Sequence, residues 1–140
     1  MSQTFSRQLF VNLPVRDLPK SIEFFRKLGF TFDPQFTDAS ATCMVVGDGC
    51  FVMLLAESRF RDFTKKPICD ATRHTEAIFA VRLETRAEVD TMVRQALAVG
   101  GSPSMDATDH GFMYASSFQD LDGHLWEVFQ MDVSAMPKAT

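Results

Sequence analysis

Asp120-Leu121-Asp122-Gly123-His124-Leu125-Trp126-Glu127-Val128-Phe129, near the C-terminal end, reads as a tight turn followed by a strand. Asp122-Gly123 is the turn signal, because glycine tolerates the positive φ that such a turn can demand. The run after it alternates. Leu125, Glu127 and Phe129 fall on one face, and Trp126, Val128 and Gln130 on the other. Glu127 is thus a carboxylate between apolar neighbours on its own face. That placement is costly if buried and calls for a partner, a metal or a chemical role.

Working outward, the same grammar recurs. Leu9 to Val15 alternates as a strand, and Pro14, which lacks an N–H, points to a sheet edge. Asp17 is an N-cap with Pro19 in the first turn, and Leu18, Ile22, Phe25 and Leu28 recur at helical spacing before Gly29. Strands are expected from Phe30, over 42–46 and over 51–56, with Gly47-Asp48-Gly49 as a hairpin. Residues 57–75 break the pattern. Phe60 and Phe63 stripe one helical turn that packs on a core or a partner, Pro67 ends it, and a segment this long suggests a lid or an arm. Alternation returns over 77–83. A Thr85/Glu88 capping box opens a helix striped by Val89, Met92, Val93 and Ala96, which Gly100-Gly101 ends. A turn-rich stretch over 102–109 precedes a strand over 112–118 and the Asp122-Gly123 turn.

The two halves match. Each reads strand, capped helix, Gly, weak strand, strand, Gly-containing turn, strand, so residues 9–56 and 77–130 are two copies of a βαβββ unit. Asp48-Gly49-Cys50-Phe51-Val52-Met53 lies over Asp122-Gly123-His124-Leu125-Trp126-Glu127. Such duplication usually means that one unit cannot complete its core alone. The expected class is α+β, one domain over 1–140: module one about 7–57, a connector about 58–75, module two about 76–132 and a loose tail over 133–140.

Composition narrows the function. Hydrophobic residues make up 46% and charged residues 23%, the ordinary balance of a globular protein. A formal net charge of −4 argues against nucleic acid or an anionic membrane as main partner. No apolar run is long enough to cross a bilayer, and Met1-Ser-Gln-Thr4 is not a signal peptide. Cys43, Cys50 and Cys69 lack zinc-like spacing and read as reduced thiols of a cytoplasmic protein. Fourteen Phe against one Tyr and one Trp leave much aromatic surface for a core, an interface or an apolar pocket.

The chain resembles the vicinal oxygen chelate superfamily, which includes glyoxalase I, bleomycin-resistance proteins and extradiol dioxygenases, and looks most like small bacterial proteins labelled lactoylglutathione lyase-like. Asn12-Leu-Pro-Val-Arg-Asp-Leu18, Ser21 with Phe24-Phe25, Leu28-Gly29-Phe30 and Asp120–Glu127 carry the resemblance. It implies paired βαβββ modules whose mixed sheets form a cup, often completed in a homodimer. In metal-dependent members four strands supply His and Glu ligands to a divalent ion that acts as a Lewis acid. Here those positions fall on Phe10, on Met53 or Leu54, on Ile78 and on Glu127. Three of the four are apolar, so no metal or other cofactor is expected, and the glyoxalase activity is not carried over with the fold.

If Glu127 faces the cup, Leu125 and Phe129 do too, with Phe10, Asn12, Ile78, Ala80 and Arg82, and with Phe51, Met53 and Leu55 from the first module. Tyr114 and Ser116, sharing a face, are further candidates through their hydroxyls, with structural hydrogen bonding as an equal alternative. Such a pocket suits a small apolar or aromatic organic molecule. Glu127 would accept its hydrogen bonds or act as a lone general base. A structural alternative pairs Glu127 with Arg82 or a backbone donor. His110 and His124 adjoin turns and His74 lies in the connector, so all three are expected at the surface. His124 and Glu127, three apart on a strand, face opposite sides and make a poor metal pair. Cys43 is expected in the core, without a base to activate it. Arg61, Lys65 and Lys66 form a solvated face. Three functions remain open: a small-molecule binder in the manner of bleomycin-resistance proteins; a lyase, isomerase or dioxygenase-like enzyme using a noncanonical metal site or metal-free chemistry at Glu127; and an interaction module whose cup is filled by its own aromatics.

Overall fold

The computed structural model describes residues 4–137. It has two compact units, divided between Ile68 and Cys69. Each is a mixed sheet with a helix against one face, the α+β architecture expected.

In the first unit, β1 (Leu9–Val15) is followed by α1 (Leu18–Lys27), β2 (Thr31–Asp33), β3 (Ala41–Gly47) and β4 (Cys50–Ala56). The sheet order is β1-β4-β3-β2, so β1 is an edge strand, as Pro14 indicates. β1 runs parallel to β4, with Phe10 opposite Phe51 and Asn12 opposite Met53. Asp17 caps α1 by accepting the Lys20 N–H at 3.1 Å. Leu13, Val15, Leu18, Phe24, Phe25, Met44, Val52 and Leu54 form the core, where the Phe25 ring meets the edge of Phe30 at 5.8 Å. Cys43 is buried too, as expected.

The second unit repeats this plan with β5 (Ile78–Arg82), α3 (Arg86–Ala98), β6 (Ser102–Pro103), β7 (Thr108–Asp109), β8 (Met113–Gln119) and β9 (Leu125–Met131). β5 lies parallel to β9, β9 antiparallel to β8, and β6 and β7 both pair with β8. Thr85 accepts the Glu88 N–H at 3.1 Å, half of the expected capping box. Val89 and Ala96 of α3 are fully buried, as are Phe118, Trp126 and Val128 of the sheet.

The connector is divided between the two units. In its first part α2 (Glu57–Phe60) packs back onto β1 and β4, and a 3-10 turn over Arg61–Phe63 follows it. Phe60 is half-buried, but Phe63 is exposed beneath the Arg59 guanidinium. Its last part belongs to the second unit. There Asp70 accepts the Thr72 N–H at 3.0 Å, and the turn it makes packs against Gly123. The tail expected to be loose includes a 3-10 turn, Val133–Ala135, capped by Asp132; positions 138–140 lie outside the described residues.

Candidate functional site

The site is built by the turn between β8 and β9. Asp120 is buried and its carboxylate organises the turn. One oxygen accepts the N–H groups of Asp122 and His124, at 2.9 and 3.0 Å, and the other accepts the Trp126 indole N–H at 3.0 Å. Burial pushes the Asp120 carboxyl up, against the neighbouring imidazole and these donors, which pull it down. Gly123 has φ +88°, and a Cβ there would lie 2.8 Å from the Ala71 carbonyl oxygen. The residue must therefore be glycine for its dihedral and for its contact. His124 corrects the expectation of surface exposure. It is 2% exposed, and its Nδ1 lies 2.7 Å from the Glu76 carboxylate.

This turn sets the register of the hairpin. Ser117 lies opposite Glu127, and Ala115 opposite Phe129. Trp126 and Val128 enter the core, while Leu125, Glu127 and Phe129 share the other face. On that face lies a cleft of about 230 Å³ within the second unit. Ile78, Leu125, Met105, Met113 and Ala115 give it apolar walls. Glu127, Asp106, Thr108, His110 and Ser117 supply polar groups, and Ser116 borders it.

Glu127 is half-buried, and among the described residues its carboxylate has no hydrogen-bond or ion-pair partner. The Arg82 guanidinium instead donates to the Met131 carbonyl oxygen at 3.0 Å. The Ser117 hydroxyl faces the Met105 backbone, accepting its N–H at 2.9 Å and donating to its carbonyl at 3.2 Å.

Of the residues singled out from sequence, the cleft gathers Ile78, Ser116, Leu125 and Glu127. Arg82 and Phe129 lie further along the same face and do not line it. Tyr114 is on the opposite face. Its hydroxyl donates to Asp90 of α3 at 2.6 Å, and Arg86 lies over its ring. By register Ser116, opposite Val128, also directs its side chain to the helix face. The strand residues facing the cleft are Met113, Ala115 and Ser117. Phe10, Asn12 and Met53 belong to the first unit, where Phe10 stacks on Phe51 at 4.7 Å and Asn12 donates to the Phe10 carbonyl.

Sequence reasoning missed Ser117, although the turn contained the signal. Counting outward from Asp122 pairs 117 with 127 and puts both on one face. It also missed Met105, Asp106, Thr108 and His110, since their segment has no periodicity to read.

The profile of the Glyoxalase/Bleomycin resistance protein/Dioxygenase superfamily matches residues 7–128. The chain belongs to this superfamily. No functionally curated protein matches it. Among solved structures it is similar to hypothetical protein SA1046 from S. aureus, with 28% identity over 91% of this chain and 96% of that one and a TM-score of 0.76. It is also similar to a glyoxalase-related enzyme from Fulvimarina pelagi (18% identity, 92% and 91% covered, TM-score 0.77) and to the fosfomycin resistance protein FosX from Listeria monocytogenes (17%, 96% and 98%, 0.63). At those identities the last two likenesses speak to fold alone.

The residues at the superfamily's metal-ligand positions do not fit a divalent ion. Phe10, Met53 or Leu54, and Ile78 offer no hard donor, which leaves Glu127 alone. Among the described residues no group of three or more His, Cys, Asp or Glu side chains is placed to hold a metal.

Proposed function

We propose that this protein binds a small, mainly apolar organic molecule in the cleft of its second unit, with Glu127 as the polar anchor. The supporting observation is the half-buried Glu127 carboxylate, unpartnered among the described residues, between apolar walls. A carboxylate withdrawn from water without a partner is costly, and binding sites are where such groups are kept. The cleft is smaller than the ~300–1,000 Å³ of sites for drug-sized molecules, so the ligand is compact.

The test is a fragment screen followed through the methyl signals of Met105 and Met113, in wild type and Glu127→Gln. Binders should shift both signals and raise the melting temperature as ligand concentration rises. A screen in which no fragment moves either signal would overturn the proposal. The same free carboxylate supports a second reading, in which Glu127 acts as a general base. A bound fragment should then be converted over time, and Glu127→Gln should stop its conversion while leaving the methyl shifts.

The proposal includes a homodimer in the cytoplasm. Exposed Leu9 and Phe10 on edge strand β1 favour a contact with a second copy, and three unpaired thiols suit a reducing compartment. Among the described residues no helix is long and apolar enough to cross a membrane. Sedimentation of wild type and Phe10→Asp checks the dimer: wild type should sediment at twice the chain mass and the variant as a monomer.

A further inference from the structure

We propose that the ligand of the second-unit cleft carries a positive charge on an apolar body, an alkyl- or arylalkyl-ammonium being the simplest case. This rests on the reading that the cleft is a binding site. The argument is charge complementarity. Among the described residues the cleft is lined by two acids, Glu127 and Asp106, by one imidazole, His110, which adjoins the Arg86–Asp109 pair, and by no Lys or Arg. Neither carboxylate has a hydrogen-bond or ion-pair partner among the described residues. The guanidinium groups nearest the cleft are committed elsewhere. Arg82 donates to the Met131 carbonyl, and Arg86 is held in a two-toothed pair with Asp109, at 2.7 and 3.0 Å, on the helix side of the sheet. Ser117 spends its hydroxyl on Met105.

Each class of occupant can be weighed against this wall. An anion would bring a third negative charge into a partly desolvated space, where like charges repel strongly. A neutral apolar molecule would strip water from Glu127 and return nothing. An ammonium group returns a charge-assisted hydrogen bond, stronger than a neutral one. Ile78, Leu125 and the thioethers of Met105 and Met113 would cover its apolar body; unbranched Met side chains adapt to varied shapes.

Three probes of one shape separate charge from apolar fit: phenethylamine, phenethyl alcohol and phenylacetate. Each is titrated into the full chain, following the Met105 and Met113 methyl signals. The expected result is that the amine binds most tightly, phenylacetate least, and that added salt weakens the amine but not the alcohol. Glu127→Gln should weaken the amine about tenfold or more and bring it level with the alcohol. Because Gln preserves shape, retained alcohol binding shows that the variant is folded. If the alcohol binds as tightly as the amine in wild type, or if Glu127→Gln leaves the amine unchanged, the charge proposal falls while the cleft reading stands. If no probe moves either methyl signal, both fall.

Discussion

Gly123 and Gly111 both have positive φ, at 88° and 83°, yet they meet different surroundings. A Cβ at Gly123 would press on the backbone of Ala71 and Thr72, whereas one at Gly111 meets nothing within 4 Å. Gly111→Ala should therefore cost only the dihedral penalty, about 1–2 kcal/mol. Gly123→Ala adds a backbone clash and should cost about 2–5 kcal/mol. Urea denaturation of the two variants checks the difference. A second residue-scale expectation concerns Asp109. The hydrogen bond from Arg86 first, and then the Gly111 N–H, hold its carboxyl below its ordinary value of 3.8. A depressed carboxyl adds stability above that ordinary value, and the contribution is lost as pH falls through the lower folded-state pKa. Both side chains are solvent-exposed, so the effect is small and salt-sensitive. In Arg86→Gln, the NMR titration midpoint of Asp109 should move back up. His124 shows what a sequence hides at this scale. Its neighbours announce a turn, but its buried imidazole meets Glu76, which precedes β5 and is distant in the chain.

Among the elements, the segment from Met105 to His110 walls the cleft with only the two-residue strand β7 as regular structure. It is held at one end by the Ser117 hydroxyl on the Met105 backbone and at the other by Arg86 on Asp109 and on the Gly111 carbonyl. Ser117→Ala leaves the Met105 N–H without that acceptor and should cost about 1–3 kcal/mol. It should also increase the motion of the Met105 methyl group while leaving that of Met113 nearly unchanged, which methyl relaxation measures. Strands and helices were legible here because their information is periodic and local. Alternation marked β1 and β9, and Asp17 and Thr85 marked the starts of α1 and α3. The cleft was legible only where it borrows that periodicity, at Ile78, Leu125 and Glu127. Tyr114 takes the hydrogen-bonding alternative, to Asp90 of α3, and registering its strand against the turn would have placed it on that face. The 105–110 wall has no period at all and is shaped by hydrogen bonds that join distant positions.

Across the whole molecule, duplication was the most readable feature, since two similar strings imply two similar units. The thiols report on the burial that follows. Cys69 is exposed, Cys50 is half-buried and Cys43 is buried. Burial, with Asp33 nearby, also pushes the Cys43 thiol up, which further lowers its reactive thiolate fraction. A thiol reagent should modify Cys69 first and Cys50 more slowly, and should reach Cys43 only on unfolding; mass spectrometry of timed samples gives the order. The pairing of each unit's first strand with its last, β1 with β4 and β5 with β9, bears on folding kinetics. A hairpin can close within microseconds, but a parallel pair between distant segments must first meet the entropy of a long loop. The β8–β9 hairpin is therefore free to form early, and β5 must wait for it. On the ribosome β4 emerges before any of the second unit, so the first unit holds its whole sheet while the second is still being made. Pulsed hydrogen exchange during refolding should find the amides of β8 and β9 protected before those of β5, with each unit closing from its hairpin outward to its edge.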